Sequence, residues 1–331
     1  MKYSKAEKHE IIKMIESSNI SVRRTLKEIG VSKSTFYEWY KKYLEDGVEG
    51  LNNKHKSPKQ FWNIIPETER DMIADAALAY PEKSCREIAY YITDNHGYFV
   101  SESSVYRILR EKNLISSPAF TVISAKDKFQ NPTTRINELW QTDFTYLKII
   151  HWGWYYLSTV MDDFSRYIIA WKLCKTMSAE DVKDTLDIAI ERTGIQKVKV
   201  IQKPRLLSDN GSCYISSSLK DFLDKNEMAH TRGKPYHPMT QGKIERYHRS
   251  MKNFLLLDNY YSPSELEATI GKWVEYYNNE RYHESIGNIK PRDKYLGYDE
   301  KIFEERRKIK KETMKMRRIK NKKYLSEKVL I

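Results

Sequence analysis

ELWQTDFTYLKII, residues 138–150, reads as a buried β-strand wrapped around a single acid. Leu139, Trp140, Phe144, Tyr146, Leu147 and Ile149 supply the apolar surface, and Asp143 stands among them. An isolated carboxylate in such surroundings is costly to desolvate. A strand that keeps one must offset the cost with partners, and the residues downstream supply candidates.

The pattern after this strand remains mostly β. WYYLSTVMDDFSR (154–166) and YIIAWKLC (167–174) read as a second and a third strand. Asp162 and Asp163 fall where the chain turns between them and read as turn residues rather than ligands. SAEDVKDTLDIAIERTG (178–194) is amphipathic at helical period, with Val182, Leu186 and Ala189 on one face and Gly194 as its stop. KPRLLSDNGSCY (203–214) is a short apolar strand ending in Asp209, with Asn210-Gly211 as the turn. Open α/β sheets place their ligand sites at such carboxyl ends of strands.

A helix at 216–227 and a short strand at 228–236 lead to HPMTQGKIERYHRSMKNFLL (237–256), helical from about Thr240. Ile244, Tyr247, Met251 and Phe254 form its buried stripe, and Glu245 lies beside it with His248, Arg249 and Lys252 following. An i,i+4 ion pair between Glu245 and Arg249 would contribute only a few tenths of a kcal/mol. A carboxylate among cations at the edge of a packed face also suits a cleft that handles phosphate. For His248 and His283, structural hydrogen bonding is the simpler role. Residues 262–283 give another amphipathic helix, with Leu266, Ile270, Trp273 and Tyr277 on the face that covers the sheet.

Ahead of this region one pattern occurs twice. VSKSTFYEW (31–39) and VSESSVYRI (100–108) share four of nine positions, and LKEIG (26–30) resembles CREIA (85–89). Each copy reads as helix, turn, helix. Ser32 and Ser101 are N-caps, and the pairs Val31–Phe36 and Val100–Val105 have hydrophobic-staple spacing. Gly30 makes the turn tight in the first copy, and TDNHGYF (93–99) makes a longer connection in the second. A helix-turn-helix lays its second helix in the major groove of DNA. Lys33, Ser34 and Thr35 would then face bases or phosphates while Phe36 and Trp39 or Tyr40 pack inward. Ser103, Ser104, Arg107 and Arg110 are the corresponding residues of the second copy.

Charge supports a polyanionic partner. Of the net +13, residues 301–331 carry 13 Lys/Arg against 4 Glu, and residues 1–60 carry 13 against 8 acids, leaving the middle close to neutral. The last stretch, KIFEERRKIKKETMKMRRIKNKKY, is a helix or a disordered arm that binds phosphate without reading sequence. No run of 18 apolar residues occurs, and MKYSKAEKHEII lacks a signal-peptide core, so the expectation is a protein of the cytoplasm without a membrane span. Cys85, Cys174 and Cys213 lie too far apart for a CxxC pair, as suits a reducing compartment.

The three acids are separated by 65 residues (Asp143 to Asp209) and 35 residues (Asp209 to Glu245). With LWQTDFTY, LLSDNGSCY and HPMTQGKIERYHRSMK around them, the chain resembles the insertion-sequence transposases whose catalytic domain is like that of retroviral integrases. DDFSRYIIAW (162–171) and WVEYYNNERYHESIGNIKPRDKY (273–295) add to the likeness, which covers roughly residues 135–297. The resemblance implies an α/β fold: an RNase H-like catalytic core, a mixed sheet flanked by helices, preceded by all-α helix-turn-helix domains. Its expected layout is a first helix-turn-helix domain at 1–49, a linker at 50–66, a second such domain at 67–115, a linker at 116–135, the core at 136–297 and a basic tail at 298–331.

The resemblance also implies the chemistry. Asp143, Asp209 and Glu245 would be catalytic ligands for Mg²⁺ or Mn²⁺, two ions per site roughly 4 Å apart clamping an in-line displacement at phosphorus. Water would free a 3′-OH at the element's end, and that 3′-OH would then join another strand. Lys243, Arg246, Arg249 and Lys252 would hold the DNA backbone. The partners expected are double-stranded DNA, both terminal repeats and target, and further copies of the chain, at least a dimer, at a bacterial nucleoid. Retroviral integrases begin with a His/Cys zinc module. His9, His55, His96 and Cys85 are scattered here, so no zinc is expected. Two other readings fit parts of the chain: a DNA-binding regulator with an inactive integrase-like domain, and an RNase H-type nuclease that cleaves without joining.

Overall fold

The computed structural model describes residues 3–18, 21–51, 62–115, 133–196, 203–233 and 242–328, with side chains described to Lys322. The linkers expected at 50–66 and 116–135 fall largely outside these residues, as does the segment 234–241 leading into the helix of Glu245. The chain divides at Trp62–Asn63 into two units.

The first unit is a trihelical domain of α1 (Lys5–Glu16), α2 (Val22–Ile29) and α3 (Lys33–Asp46), closed by a 3-10 turn at Gly47–Leu51. Ile12, Leu26, Phe36, Trp39 and Leu51 form its core. Ser32 caps α3 by accepting the Thr35 N–H at 3.2 Å. Gly30, at φ 78°, ends α2 in the left-handed conformation that a side chain disfavours.

The second unit begins with the second helical copy: α4 (Glu67–Ala79), α5 (Cys85–His96) and α6 (Glu102–Glu111) around Ile73, Ile88, Ile92, Val105 and Ile108. Ser84 and Glu87 form a capping box at the start of α5, and Ser101 caps α6. The long connection expected at 93–99 is mostly helix. The α5 helix runs to His96 before Gly97 turns it, so CREIA opens this helix where LKEIG closes its counterpart.

A mixed five-stranded sheet follows, in the order β3-β2-β1-β4-β5. Its strands are β1 (Leu139–Ile149), β2 (Gly153–Asp162), β3 (Ile168–Cys174), β4 (Arg205–Ser208) and β5 (His230–Arg232). β1–β2 and β2–β3 are antiparallel, whereas β1–β4 and β4–β5 are parallel. Alternate residues of each strand face opposite sides. Trp140, Val160, Ile169 and Leu206 pack beneath α7 (Ala179–Thr193), the one-turn α8 (Ser212–Ile215) and α9 (Ser217–Lys225). Leu147, Ile149, Leu157 and Met161 pack against α10 (Gly242–Leu255) and α11 (Pro263–Asn279). Helices on both faces explain why the strands read as apolar on both faces. Phe254 departs from the expected stripe: it is 44% exposed and stacks on Trp273, while Leu255 takes the buried place.

The chain ends in α12 (Pro291–Tyr295) and the long α13 (Asp299–Lys328). Of the two states expected for the basic tail, the helix is the one found. It packs against the second helical domain, where Thr313 and Arg317 are buried.

Candidate active site

Asp143 and Asp209 are brought side by side by strand register. β1 and β4 run parallel with Trp140 opposite Leu206 and Gln141 opposite Leu207. Each acid lies two residues beyond Gln141 or Leu207, at the same level on neighbouring chains. The negative charge of both reaches α8, where burial first, then Asp209 and Asp143, push the Cys213 thiol up. Tyr214 beside it is fully buried and is pushed far up by burial, with Asp143 adding.

Asp143 is held at both oxygens. Oδ1 accepts the Phe144 N–H at 2.8 Å, and Oδ2 lies 3.4 Å from Nδ1 of buried His248. The other ring nitrogen of His248 is 3.1 Å from Thr159 Oγ1 on β2. Asp209 Oδ1 accepts the Gly211 N–H at 2.8 Å, an Asx turn that lets the chain leave β4. A Cβ at Gly211 would meet that oxygen at 3.0 Å, so the turn favours glycine. Asn210 ties the same loop to β5 through Gly233 O at 2.7 Å.

The α10 helix runs alongside β1 and is fixed at three levels. The Ile244 N–H donates to Gln141 Oε1 at 3.2 Å, His248 meets Asp143, and the Lys252 ammonium sits 4.0 Å over the Tyr146 ring. Glu245 is in the first turn of this helix, exposed, on the face shared with His248, Arg249 and Lys252. Arg246 and Arg249 are exposed as well, and Lys252 is partly buried. Burial pulls the Lys252 ammonium down, and Asp143 opposes that shift. Among the described residues, no three His, Cys, Asp or Glu side chains stand close enough to hold a metal ion. Strand register sets Asp143 and Asp209 at one level and Glu245 lies on the helix fixed alongside β1, but the three carboxylates do not form a three-ligand cluster.

Lys243, expected on the DNA backbone, is instead buried. Its ammonium lies 2.6 Å from Asp163 Oδ2, which also accepts from Thr133 Oγ1, while Gln141 Nε2 donates to Asp163 Oδ1 at 2.6 Å. A buried ammonium needs a counter-charge, and the β2–β3 turn provides one. Asp163 and Gln141 therefore anchor the start of α10, a role that only tertiary contact reveals. Asp162 is a turn residue as read: its carboxylate accepts from the Ser165 N–H and hydroxyl and from the Asn137 N–H. Burial, with Arg166, Arg281 and Arg246 nearby, drives His283 down to about 3, so its imidazole is neutral at pH 7.

In the helical domains, Lys33 and Ser34 are exposed at the start of α3, whereas the Thr35 hydroxyl is 2.7 Å from Ser32 Oγ in the cap. On α6, Ser103, Arg107 and Arg110 are exposed. The Arg107 guanidinium folds back on Ser103 O and Ser104 Oγ, at 3.1 and 3.3 Å.

Comparison with known proteins agrees with this architecture. Residues 133–238 match the integrase core domain family, and residues 226–291 match a second integrase core family. Residues 7–59 match a helix-turn-helix domain, and residues 35–109 match a homeodomain-like domain. The transposase of transposon Tn552 from Staphylococcus aureus is 28% identical over 277 residues, 76% of this chain and 56% of its own. The transposase of insertion sequence IS904 from Lactococcus lactis is 28% identical over 163 residues, 48% of this chain and 62% of its own. A solved HTLV-2 integrase catalytic core in complex with magnesium is 23% identical with a TM-score of 0.38, covering 47% of this chain and 94% of its own. Over residues 133–291 the chain is similar to integrase core domains, behind residues similar to helix-turn-helix domains, and it is homologous to transposases of insertion sequences and transposons. It spans 56% and 62% of the length of these two transposases.

Proposed function

We propose that this protein is a DNA transposase that binds the ends of a mobile element, cuts them and joins the freed ends to target DNA. The observation that carries this reading is the register that sets Asp143, within β1, level with Asp209, just past the end of β4, beside a helix that bears Glu245 and is pinned to β1. Residues 1–49 and 67–115 would read sequence, and 136–297 would perform the chemistry.

The donor set suits a hard divalent cation, since all three candidates are carboxylates. Asp143, Asp209 and Glu245 would hold Mg²⁺ or Mn²⁺, two ions when fully loaded. Bound there, the ions supply Lewis acidity at phosphorus and charge stabilisation at the leaving oxygen. The chain's own residues set the geometry. His248 and the Phe144 N–H orient Asp143, and the Gly211 N–H orients Asp209. Arg246, Arg249 and Lys252 offer cations to DNA phosphates on the face of α10 next to Glu245 and on its flank. In the first reaction a water oxygen bonds to phosphorus and the bond to the 3′ oxygen breaks. In the second, that 3′-OH attacks a target phosphodiester. One P–O bond forms for each one broken, so no nucleoside triphosphate is consumed. Acting on two ends together requires at least a dimer, and the bacterial sources of the two transposases support action at a nucleoid.

The test is a supercoiled plasmid carrying the gene with its native flanking DNA, incubated with Mg²⁺ or Mn²⁺ and either the native protein or Glu245→Gln. Metal-dependent breaks at defined flanking positions, with joined products absent from the variant, are expected. Binding by folded protein without any cleavage would favour a regulator instead.

A further inference from the structure

The α13 helix spends its most buried charges on the second helical domain rather than on solvent. Arg306 makes a bidentate pair with Asp94 near the end of α5, both hydrogen bonds at 2.7 Å, and its guanidinium lies 4.5 Å from the Tyr90 ring centroid. Further along α13, the Phe99 N–H donates to Thr313 Oγ1 at 3.0 Å. Arg317 donates to Phe99 O at 2.6 Å and to Tyr98 OH at 2.7 Å. Asp94, Tyr98 and Phe99 flank the turn that aims α6, the helix expected to read bases. The far end of α13 reaches α4, where Lys320 pairs with Glu69 at 2.8 Å.

The same helix is rooted in the integrase core. Arg306 also donates to Gly287 O at 3.3 Å. Gly287, at φ 83°, lies against the Phe303 ring so closely that a Cβ there would come within 2.6 Å of it. Lys294 pairs with Asp299 at the start of α13, and Arg86 of α5 pairs directly with Glu284 of the core. One arginine thus touches the reading domain through Asp94 and the core through Gly287. A bidentate guanidinium–carboxylate pair fixes orientation as well as distance.

We propose that α13 is a brace that locks the second helix-turn-helix domain to the integrase core, with Arg306 as its positioning residue. Sequence read by α6 and the phosphodiester cut beside Asp143 and Asp209 then lie a set number of base pairs apart. This rests on the transposase reading for its consequence, but the brace itself does not.

Two measurements test it. In the first, dyes are attached to cysteines introduced by Ser103→Cys on α6 and Lys272→Cys on α11, in a Cys85→Ser background. Energy transfer without DNA should give one narrow distance distribution, broadened by Arg306→Ala and by Asp94→Ala. An unchanged width overturns the brace whether or not the protein cuts DNA. In the second, cut positions are mapped on the native flanking DNA and on versions with one to five base pairs inserted between the segment protected by the second domain and the cut bond. The native protein should cut one bond and move or lose the cut with each insertion. Arg306→Ala and Asp94→Ala should spread the cuts over neighbouring bonds and tolerate the insertions, with total cutting within about threefold of native. Arg306→Lys, which keeps the charge and loses the fork, should fall between. Equally sharp cutting by all variants overturns the positioning role and leaves the transposase reading intact. Broadened distances with no cutting by the native protein would support the brace and count against the transposase reading.

Discussion

His248 reaches across the sheet to steady Asp143: Nδ1 is 3.4 Å from the carboxylate, and Nε2 is 3.1 Å from the Thr159 hydroxyl on the next strand. The imidazole therefore links α10, β1 and β2 at one point. Residues that orient a ligating carboxylate govern its affinity for metal without touching it themselves. For His248→Ala we expect DNA cutting to fall about 10- to 100-fold, with a higher Mg²⁺ requirement and unaltered affinity for DNA. A metal titration of the cutting rate checks this. An unshifted midpoint would reduce His248 to a packing residue.

Lys243 and Asp163 should be worth far more to stability than to DNA binding. Lys243→Met removes the ammonium paired with the buried Asp163 carboxylate, which keeps hydrogen bonds from Gln141 and Thr133 and the nearby charge of Arg166. Breaking one side of a buried pair costs about 3–5 kcal/mol. Urea unfolding should show a loss of that order, and the double change Lys243→Met with Asp163→Leu should recover part of it. A loss below about 1 kcal/mol for the single variant would mean that the pair is effectively solvated.

These interactions mark the limit of what sequence conveys. Asp143 and Asp209 draw the eye in the sequence because one is a lone acid within an apolar strand and the other closes one. The serine caps of α3 and α6 set helix starts by local chemistry, which sequence spells out. The anchoring contact of Lys243 is not legible in the sequence, because its burial depends on a turn 80 residues away. For His248 the sequence suggests a hydrogen-bonding role, but its partners Asp143 and Thr159 come only from the fold. The α13 helix gives only a charge signal because the side chains it buries include Thr313 and Arg317, which hydrophobic periodicity cannot register. Its partners lie more than 200 residues earlier.

The neutral His283 makes acid stability predictable in sign. Its native pKa is driven down to about 3 from an ordinary value of 6.5. Between those values the unfolded chain binds a proton that the native state refuses. The contribution is complete above pH 6.5 and is lost as pH falls toward 3, at about 1.4 kcal/mol per pH unit. Against the native protein, His283→Asn should show a shallower decline in unfolding free energy between about pH 6.5 and pH 4.5. Parallel declines would mean that the ring takes up its proton in the native state, in conflict with its burial among Arg166, Arg246 and Arg281.

The outer face of α13 separates two roles that deletion of the helix would confuse. Removing it would take away both its charge and its grip on the second helical domain. Lys308, Lys311 and Lys315 are exposed and fall at helical spacing along one side, away from buried Thr313 and Arg317. Changing all three to Gln should leave the fold unaltered and lessen the dependence of DNA affinity on salt. Every lysine–phosphate pairing removed in this way lowers the slope of log affinity against log salt by about 0.9. A drop of roughly two to three is expected if all three meet phosphates, with the same preference for specific over random DNA, because interactions with the DNA backbone carry no sequence information. An unchanged slope would mean that DNA passes α13 on another side. If the preference disappeared while the slope held, these lysines would be acting through the aim of α6.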